Sequence, residues 1–421
     1  YAFSSLFSSV NIGYRHLLPI LPCLIILAGD VCTTTVTNLL RLPSNRPERY
    51  KYVLTAIVIS LLTGSVFAAI HAAPSPLEYF NALAGGRTHG YHYLVDSNLD
   101  WGQSLWDLRT WMTATGVERV KYAHYSPASP SQYGIQADFL PPDPRSIDFT
   151  PWLPDTGIYV IGATVLQGVY APDINTYAYF RGEQPLARIG GALFIYSVTA
   201  SIKPAWAVVC DWEPTADEIR KNLSDPALRV IRNDCDDVQV FPGNSQEGLY
   251  ILEPAQRHLI TGEHQFDLNS HSGRVWRTVV SVEDQPEPTN PVNQPIDGPL
   301  DFLGYSLDNK VFIPGMELHL ETYWRVNQVP DRPLSILAQL VTPNGSGNAV
   351  GDGLGFPIEL WLPGDMIVQT HKLSIPETVI PNESIFVVTG GYWLDTMERW
   401  STGNPDNLIV LQELSHRKLN Q

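Results

Sequence analysis

The sequence predicts a multidomain chain: two transmembrane α-helices over about residues 17–40 and 53–73, an extracytoplasmic α/β domain over 74–256, a connector with a first strand region over 257–299, and an all-β sandwich over 300–421. Three observations predict it. Two apolar runs near the ~20 residues needed to cross a bilayer come first, with no third run after them. Mixed helix and strand patterns follow. The tail then changes to short strand patterns separated by Pro, Gly and Asn turns, about seven of them, as in a sandwich.

The loop between the apolar runs fixes their orientation. It carries Arg41, Arg46, Arg49 and Lys51 against Glu48. Short loops rich in Lys and Arg stay on the cytoplasmic side. The chain is therefore expected in the plasma (cytoplasmic) membrane, multi-pass, with residues 74–421 outside the cytoplasm. The first run has an unusual entry: Arg15 and His16 precede Pro19 and Pro22, which would kink a helix. Asp30 lies deeper, where a carboxylate needs a bundle interior or a wet cavity. Two helices make no such interior, so partner helices are expected upstream. The chain begins with Tyr1, residues 1–14 carry no charged side chain, and nothing resembles a signal peptide, so a preceding segment is expected.

After the second run, residues 105–115 carry Leu105, Leu108 and Trp111 or Met112 at helical spacing. Strand patterns occupy 120–125 and 157–163. Residues 164–170 and 174–180 are read as short helices, and 187–198 as strand with a Gly190-Gly191 turn. Residues 204–254 are read as a continuation of the same domain, with a helix at 216–222 and strands at 228–231 and 249–252. Residues 257–273 read as a connector and the Pro-rich run 284–299 as a stiff spacer. In the tail, Leu318, Leu320, Thr322 and Trp324 alternate with His319, Glu321, Tyr323 and Arg325, placing the two sets on opposite faces.

Charge narrows the function classes. The 421 residues carry a net charge of -16, with 17% charged residues. Residues 1–73 hold five Lys or Arg against two Asp or Glu, so the negative charge belongs to the remainder. An acidic outer portion argues against nucleic acid, which calls for a basic stripe. Of four cysteines, Cys23 and Cys32 fall in the first apolar run. Cys210 and Cys235 lie outside, where a bond between them would close a loop of about 25 residues; the alternative is two buried thiols.

The densest polar cluster is Asp96-Ser97-Asn98-Leu99-Asp100-Trp101-Gly102-Gln103. Asp96 and Asp100 suit acid–base or metal work, or else they cap the following helix. Trp101, Trp106, Trp111, Tyr91 and Tyr93 suit stacking on sugar rings, or else they are core. His89 and His92 have H-x-x-H spacing without a third or fourth ligand nearby, which is too few for a metal. Arg15 and His16 suit a grip on a lipid phosphate, or else snorkelling to headgroups. Asn222, Asn344 and Asn382 fit the N-glycosylation pattern, which matters only in a host that glycosylates. No G-x-S-x-G, Walker or dinucleotide-binding glycine pattern occurs.

Four segments taken together carry a resemblance. Gly13-Tyr14-Arg15-His16-Leu17-Leu18-Pro19-Ile20-Leu21-Pro22 resembles a stretch in a late membrane helix of bacterial membrane glycosyltransferases related to protein O-mannosyltransferases and aminoarabinose transferases. The run from Tyr91 through Gln103, the run from Gly157 to Tyr170 and the run from Ala187 to Tyr196 are similar to outer segments of that family, in the same order. The tail, from Leu303-Gly304-Tyr305 to Tyr323-Trp324, resembles a β-sandwich appended to such enzymes.

The resemblance implies the end of a GT-C helical bundle, in a C-terminal fragment of an enzyme that moves a sugar from a polyprenyl-phosphate donor to a glycan, lipid or protein acceptor. It implies a catalytic Asp in a first outer loop upstream of this chain, so that the fragment alone is inactive. It also implies donor-phosphate contacts at Arg15 and His16. Sugar or acceptor contacts at Asp96, Asn98, Asp100, Trp101 and Gln103 are a further expectation. The cofactor is the lipid-linked donor itself, with a divalent metal left open. The alternative is a non-enzymatic, membrane-anchored envelope protein with a carbohydrate-binding or adhesion sandwich.

Overall fold

A computed structural model describes residues 20–40, 48–73, 75–210, 214–243, 246–269, 276–294, 296–343, 349–377 and 384–416. The chain divides into two compact units, Tyr1–Ser201 and Ile202–Gln421.

The fold class differs from the expectation of a helical-bundle end with two spanning helices. Four five-stranded sheets dominate the described residues. Among the described residues, one helix is long and apolar enough to cross a membrane: α2 (Glu48–Ala72), through Thr55–Ala72. Helix α1 (Leu21–Leu40) has a shorter apolar part, Leu21–Thr34. Its second half turns polar. The hydroxyl of Thr33 donates to the Gly29 carbonyl and that of Thr37 to the Thr33 carbonyl, satisfying the side chains without adding apolar length. Composition had counted residues 17–40 as one run, and 17–19 lie outside the described residues.

The first unit is built on one sheet of order β2-β1-β3-β5-β4, where β1 is Arg119–Ala123, β2 Gln136–Phe139, β3 Gly157–Gly162, β4 Ala187–Ile189 and β5 Leu193–Val198. β1 runs parallel to β2 and β3; β3–β5 and β5–β4 are antiparallel. The central strands are buried on both faces. Val160, Leu193 and Ile195 pack with Leu105, Leu108 and Met112 of helix α3 (Ser104–Thr115). The alternate residues Tyr159, Ile161, Phe194 and Tyr196 pack with Leu99, Val165, Tyr177 and Phe180 on the other face. That is the period of two expected of a strand. Helix α3 stops at Gly116, whose φ of 74° lets its N–H return to the Met112 carbonyl. Helices α4 (Ala163–Leu166) and α5 (Ala178–Gly182) are shorter than the sequence patterns suggested.

The second unit holds three sheets around one core, with Trp206, Tyr250, Phe302, Trp324, Trp361 and Leu373 among its members. The boundary expected at 256 lies instead after Ser201. The reason is strand exchange. Val238–Phe241, from the stretch assigned to the first domain, is the outer strand on Met366–Ser374 of the sandwich. The Tyr250 hydroxyl locks it, donating to the Val240 carbonyl at 2.7 Å and accepting from the Val240 N–H at 2.9 Å. The expected connector contains the strand Glu263–Asn269, paired with Trp276–Val282. The expected spacer contains the strand Asn290–Gln294, paired with Leu300–Leu307. Asn290–Gln294 is an edge strand, where Pro291 costs the ladder little. In Glu317–Val326 the alternation is as expected except at Tyr323, which is buried as well.

Candidate functional site

Arg15 and His16, the expected donor-phosphate contacts, lie outside the described residues, as do Asn344 and Asn382. The site described here is the Asp96–Gln103 segment, which enters helix α3 in the first unit.

The segment stitches itself to its own backbone. Asn98 Nδ2 donates to the Val95 carbonyl at 3.1 Å, and Gln103 Nε2 donates to the Leu99 carbonyl at 2.8 Å. Gln103 Oε1 accepts the Trp101 N–H, and the Trp101 indole N–H donates to the Ser97 carbonyl. The amide groups of Asn98 and Gln103 are thus spent on the shape of the loop. The ring of Trp101 remains exposed, as does that of Trp106.

The two carboxylates have different surroundings, and neither caps helix α3, whose N-cap residue is Gln103. Asp100 is buried. Its Oδ1 accepts the Gly102 N–H at 2.6 Å, and its Oδ2 lies 3.0 Å from His124 Nε2. His124 Nδ1 in turn meets the Tyr122 hydroxyl at 2.8 Å. Burial, reinforced by the Asp100 charge, holds the Tyr122 phenol well above its ordinary range, so it stays protonated. The protonated Tyr122 phenol can donate to Nδ1, which leaves Nε2 facing the carboxylate. Two glycines make room. A Cβ on Gly162 would overlap the His124 ring, and one on Gly102, at φ 101°, would overlap Ala128.

A third acid stands behind this network. Glu78, 1% exposed, accepts the Gly191 N–H at 2.9 Å and the Ser104 hydroxyl at 3.2 Å, with Arg87 Nε at 3.7 Å. Burial raises its pKa above the usual carboxylate value, against these donors and with a small push from Asp100.

Asp96 faces outward. Its backbone N–H donates to the hydroxyl of buried Thr164 at 2.8 Å, and its Oδ2 accepts the Tyr170 hydroxyl at 3.2 Å. Tyr170 stacks on Tyr125 with ring centroids 4.1 Å apart and 24° between planes. Both rings are about half open, at 49% and 45%. Asp96 and Tyr170 each hold positive φ, 63° and 62°.

Among the aromatics, Tyr91 packs against Phe194 in the core, while Tyr93 is exposed. The rings of His89 and His92 lie 6.3 Å apart. Burial, then the neighbouring His89 and Arg188, lowers the His92 pKa. Among the described residues, no group of three or more His, Cys, Asp or Glu side chains is placed to hold a metal ion. Cys210 and Cys235 form a disulfide in the second unit.

The second unit also has a cavity of about 480 Å³ lined by Asp234, Asp237, Asp352, Gln369 and His371 among others. Its walls are largely bonded within the fold. Asp352 accepts from Ala338 N–H and the Tyr392 hydroxyl, and Gln369 spans Gly355 N–H and the Asp237 carbonyl.

Glu78, His124, Tyr125 and Thr164 were missed by sequence reasoning. Their only signal was an isolated polar residue beside apolar ones.

No family model matches the chain, and no curated protein matches it. Among solved structures, it is similar to Spo0M, a sporulation control protein from Bacillus subtilis, at 11% identity and a TM-score of 0.16, over 24% of this chain and 48% of that one. It is also similar to a calcium-binding mutant of Bacteroides uniformis beta-glucuronidase 2, at 10% identity and a TM-score of 0.15, over 30% of this chain and 14% of that one. The chain thus spans about half, or less, of the structures it matches. Likeness at this level carries no argument about fold or function.

Proposed function

We propose that this chain is the outer portion of a membrane glycosyltransferase, which takes a sugar from a polyprenyl-phosphate donor and passes it to an acceptor at the outer membrane face. One observation carries the reading. The contact of Tyr170 with Asp96 joins two separate glycosyltransferase-like segments, 91–103 and 157–170, at a surface that offers aromatic rings beside a carboxylate. Sugars present hydroxyls that a carboxylate accepts and C–H faces that aromatic rings cover.

The surroundings support the same reading. Helix α2 is exposed and apolar, and it leads in sequence into the unit that carries this surface. Basic residues precede it, which orients the following chain away from the cytoplasm. The Cys210–Cys235 bond suits an oxidising compartment. In this reading Asp96 binds sugar or acceptor hydroxyls, while Asp100, through His124, and Glu78, through Ser104, position the loop.

Transfer of radiolabelled sugar from a polyprenyl-phosphate donor, measured in membranes holding the complete protein, tests this. Asp96→Asn should lower kcat/KM about tenfold or more, the loss of one charge-assisted contact, with protein level unchanged. Wild-type turnover in that variant would refute a role for Asp96. Absence of any transfer by the wild-type protein would refute the reading itself.

A further inference from the structure

We infer that the paired rings of Tyr125 and Tyr170, with the Asp96 carboxylate at their edge, form a binding platform for a single pyranose ring. This deepens the proposed function and rests on it for the source of the sugar, although the geometry stands by itself.

Three observations carry it. First, the two rings stack at 4.1 Å yet remain 45% and 49% exposed, so about half of two large side chains is left facing water. Aromatic rings normally gain stability by burial, and such a pair kept open is suited to receiving a ligand face. Second, Tyr170 Oη donates to Asp96 Oδ2, which holds the carboxylate beside the rings while Oδ1 meets no donor among the described residues. A pyranose has one face of C–H groups and a rim of hydroxyls. The face suits the rings and the rim suits the free acceptor. The phenol remains a donor at neutral pH, because partial burial and the Asp96 charge both raise its pKa.

Third, the platform is held by backbone that its residues would not choose. Among the described residues five non-glycine residues have positive φ: Asp96, Tyr170, Ser224, Met397 and Asn407. Two of these five form the one contact in question. A bulky Tyr in this region is an outlier, and such strain works against the folded state. It persists here because the surroundings enforce it: Thr164 fixes the Asp96 N–H, and Gly168, at φ 81°, turns the chain just ahead of Tyr170. Strain held at an open aromatic–carboxylate contact is strain placed where a ligand would meet it.

The test uses the whole chain in lipid nanodiscs. Saturation-transfer NMR is recorded with methyl α-D-mannopyranoside, methyl β-D-glucopyranoside, methyl β-L-arabinopyranoside and, as a cationic competitor class, tetramethylammonium. At least one glycoside should bind, with Kd of order 1–10 mM. Tyr125→Ala should weaken it about tenfold, the size of one lost stacking contact, and Tyr170→Phe, which keeps the ring, by less than about threefold. Tyr133→Ala, an aromatic residue outside the pair, should leave binding unchanged. Should Tyr170 variants fail to fold, Tyr125→Ala alone decides, since Tyr125 carries no positive φ. The inference is overturned if no glycoside binds, if Tyr125→Ala binds as wild type, or if only tetramethylammonium binds.

Two further arms separate this inference from the reading beneath it. Displacement of the bound glycoside by a polyprenyl-phosphate sugar in the same nanodisc assigns the platform to the donor; a lack of displacement assigns it to the acceptor. Glycoside binding lost in Tyr125→Ala, with no transfer by the complete protein, would sustain the platform and remove the transferase. Transfer that persists unchanged in Tyr125→Ala, with no glycoside binding, would do the reverse.

Discussion

The Tyr170 hydroxyl reaches the Asp96 carboxylate across 74 residues of sequence, at 3.2 Å, and both residues hold left-handed backbone to do so. Two separate costs oppose this contact: closing the long loop between the residues, and holding both in strained backbone. The surrounding sheet offsets those costs. β3 leads into helix α4, which carries Thr164, and the chain reaches Tyr170 four residues after Leu166.

This relationship predicts a divergence between two substitutions at one position. Asp96→Ala and Asp96→Gly both delete the carboxylate and its hydrogen bond. Only glycine adopts φ of 63° without steric cost, so Asp96→Gly should be about 1 kcal/mol more stable than Asp96→Ala. Both should lose glycoside binding equally. Chemical denaturation of the two variants measures the difference. Equal stability would show that the position is not held left-handed in solution.

The approach of Gly162 to His124 gives a second prediction. A methyl group at position 162 would overlap the imidazole, which is fixed on both sides by Asp100 and Tyr122. Gly162→Ala should cost about 1–3 kcal/mol, as overpacking does. In a His124→Ala background most of that cost should vanish, because the obstructing ring is gone. Thermal unfolding of the four proteins in the cycle checks it; an undiminished cost in the double variant would place the clash elsewhere.

Some of this was legible in the sequence, for physical reasons. The stripe Leu105, Leu108, Met112 repeats at helical spacing and is the buried face of α3, because periodicity records which face meets a core. The polar cluster at Asp96–Gln103 was visible for its density. What lay beyond reach were partners. His124 comes from the end of β1 and Glu78 from the short turn after α2, and nothing local marks either as facing Asp100 or Ser104. The domain boundary failed likewise. Residues 238–241 fell inside the stretch read as a continuation of the α/β domain and were not read as a strand; their hydrogen-bond partners, Met366–Gln369, lie more than a hundred residues on, where no local pattern points. The first membrane span failed by summation: residues 17–40 look apolar as a block, whereas among the described residues the apolar part of α1 is Leu21–Thr34, beyond which Thr35, Thr37 and Asn38 follow.

The disulfide supplies a third prediction. Cys210 and Cys235 are 25 residues apart and buried in the core of the second unit. A closed loop of that length restricts the unfolded chain by about 3 kcal/mol. Replacing both residues by alanine should lower stability by about that amount. Reductant should bring wild type toward the variant and leave the variant unmoved. Two alkylatable thiols at these positions in the untreated protein would falsify the bond.

The last prediction concerns acid. His371 is buried, its Nε2 2.8 Å from the Thr322 hydroxyl and its Nδ1 2.7 Å from the Gly351 carbonyl. Burial pushes its pKa down from 6.5 to about 4, against a smaller upward pull from the Gly351 carbonyl. The folded state therefore refuses a proton that the unfolded chain accepts below pH 6.5. Between pH 6.5 and about 4 the unfolded state binds more protons, so stability falls on acidification. Below about 4 both states are protonated and this contribution is lost in full. The loss across the window is about 3 kcal/mol. Carboxylates titrate in the same range, so the difference between wild type and His371→Gln isolates the histidine. Urea unfolding at pH 7, 6, 5 and 4 should show wild type losing about 3 kcal/mol more than the variant. Parallel pH profiles would mean that His371 takes up its proton over the same pH range in the folded chain as in the unfolded one, so that burial does not hold it neutral.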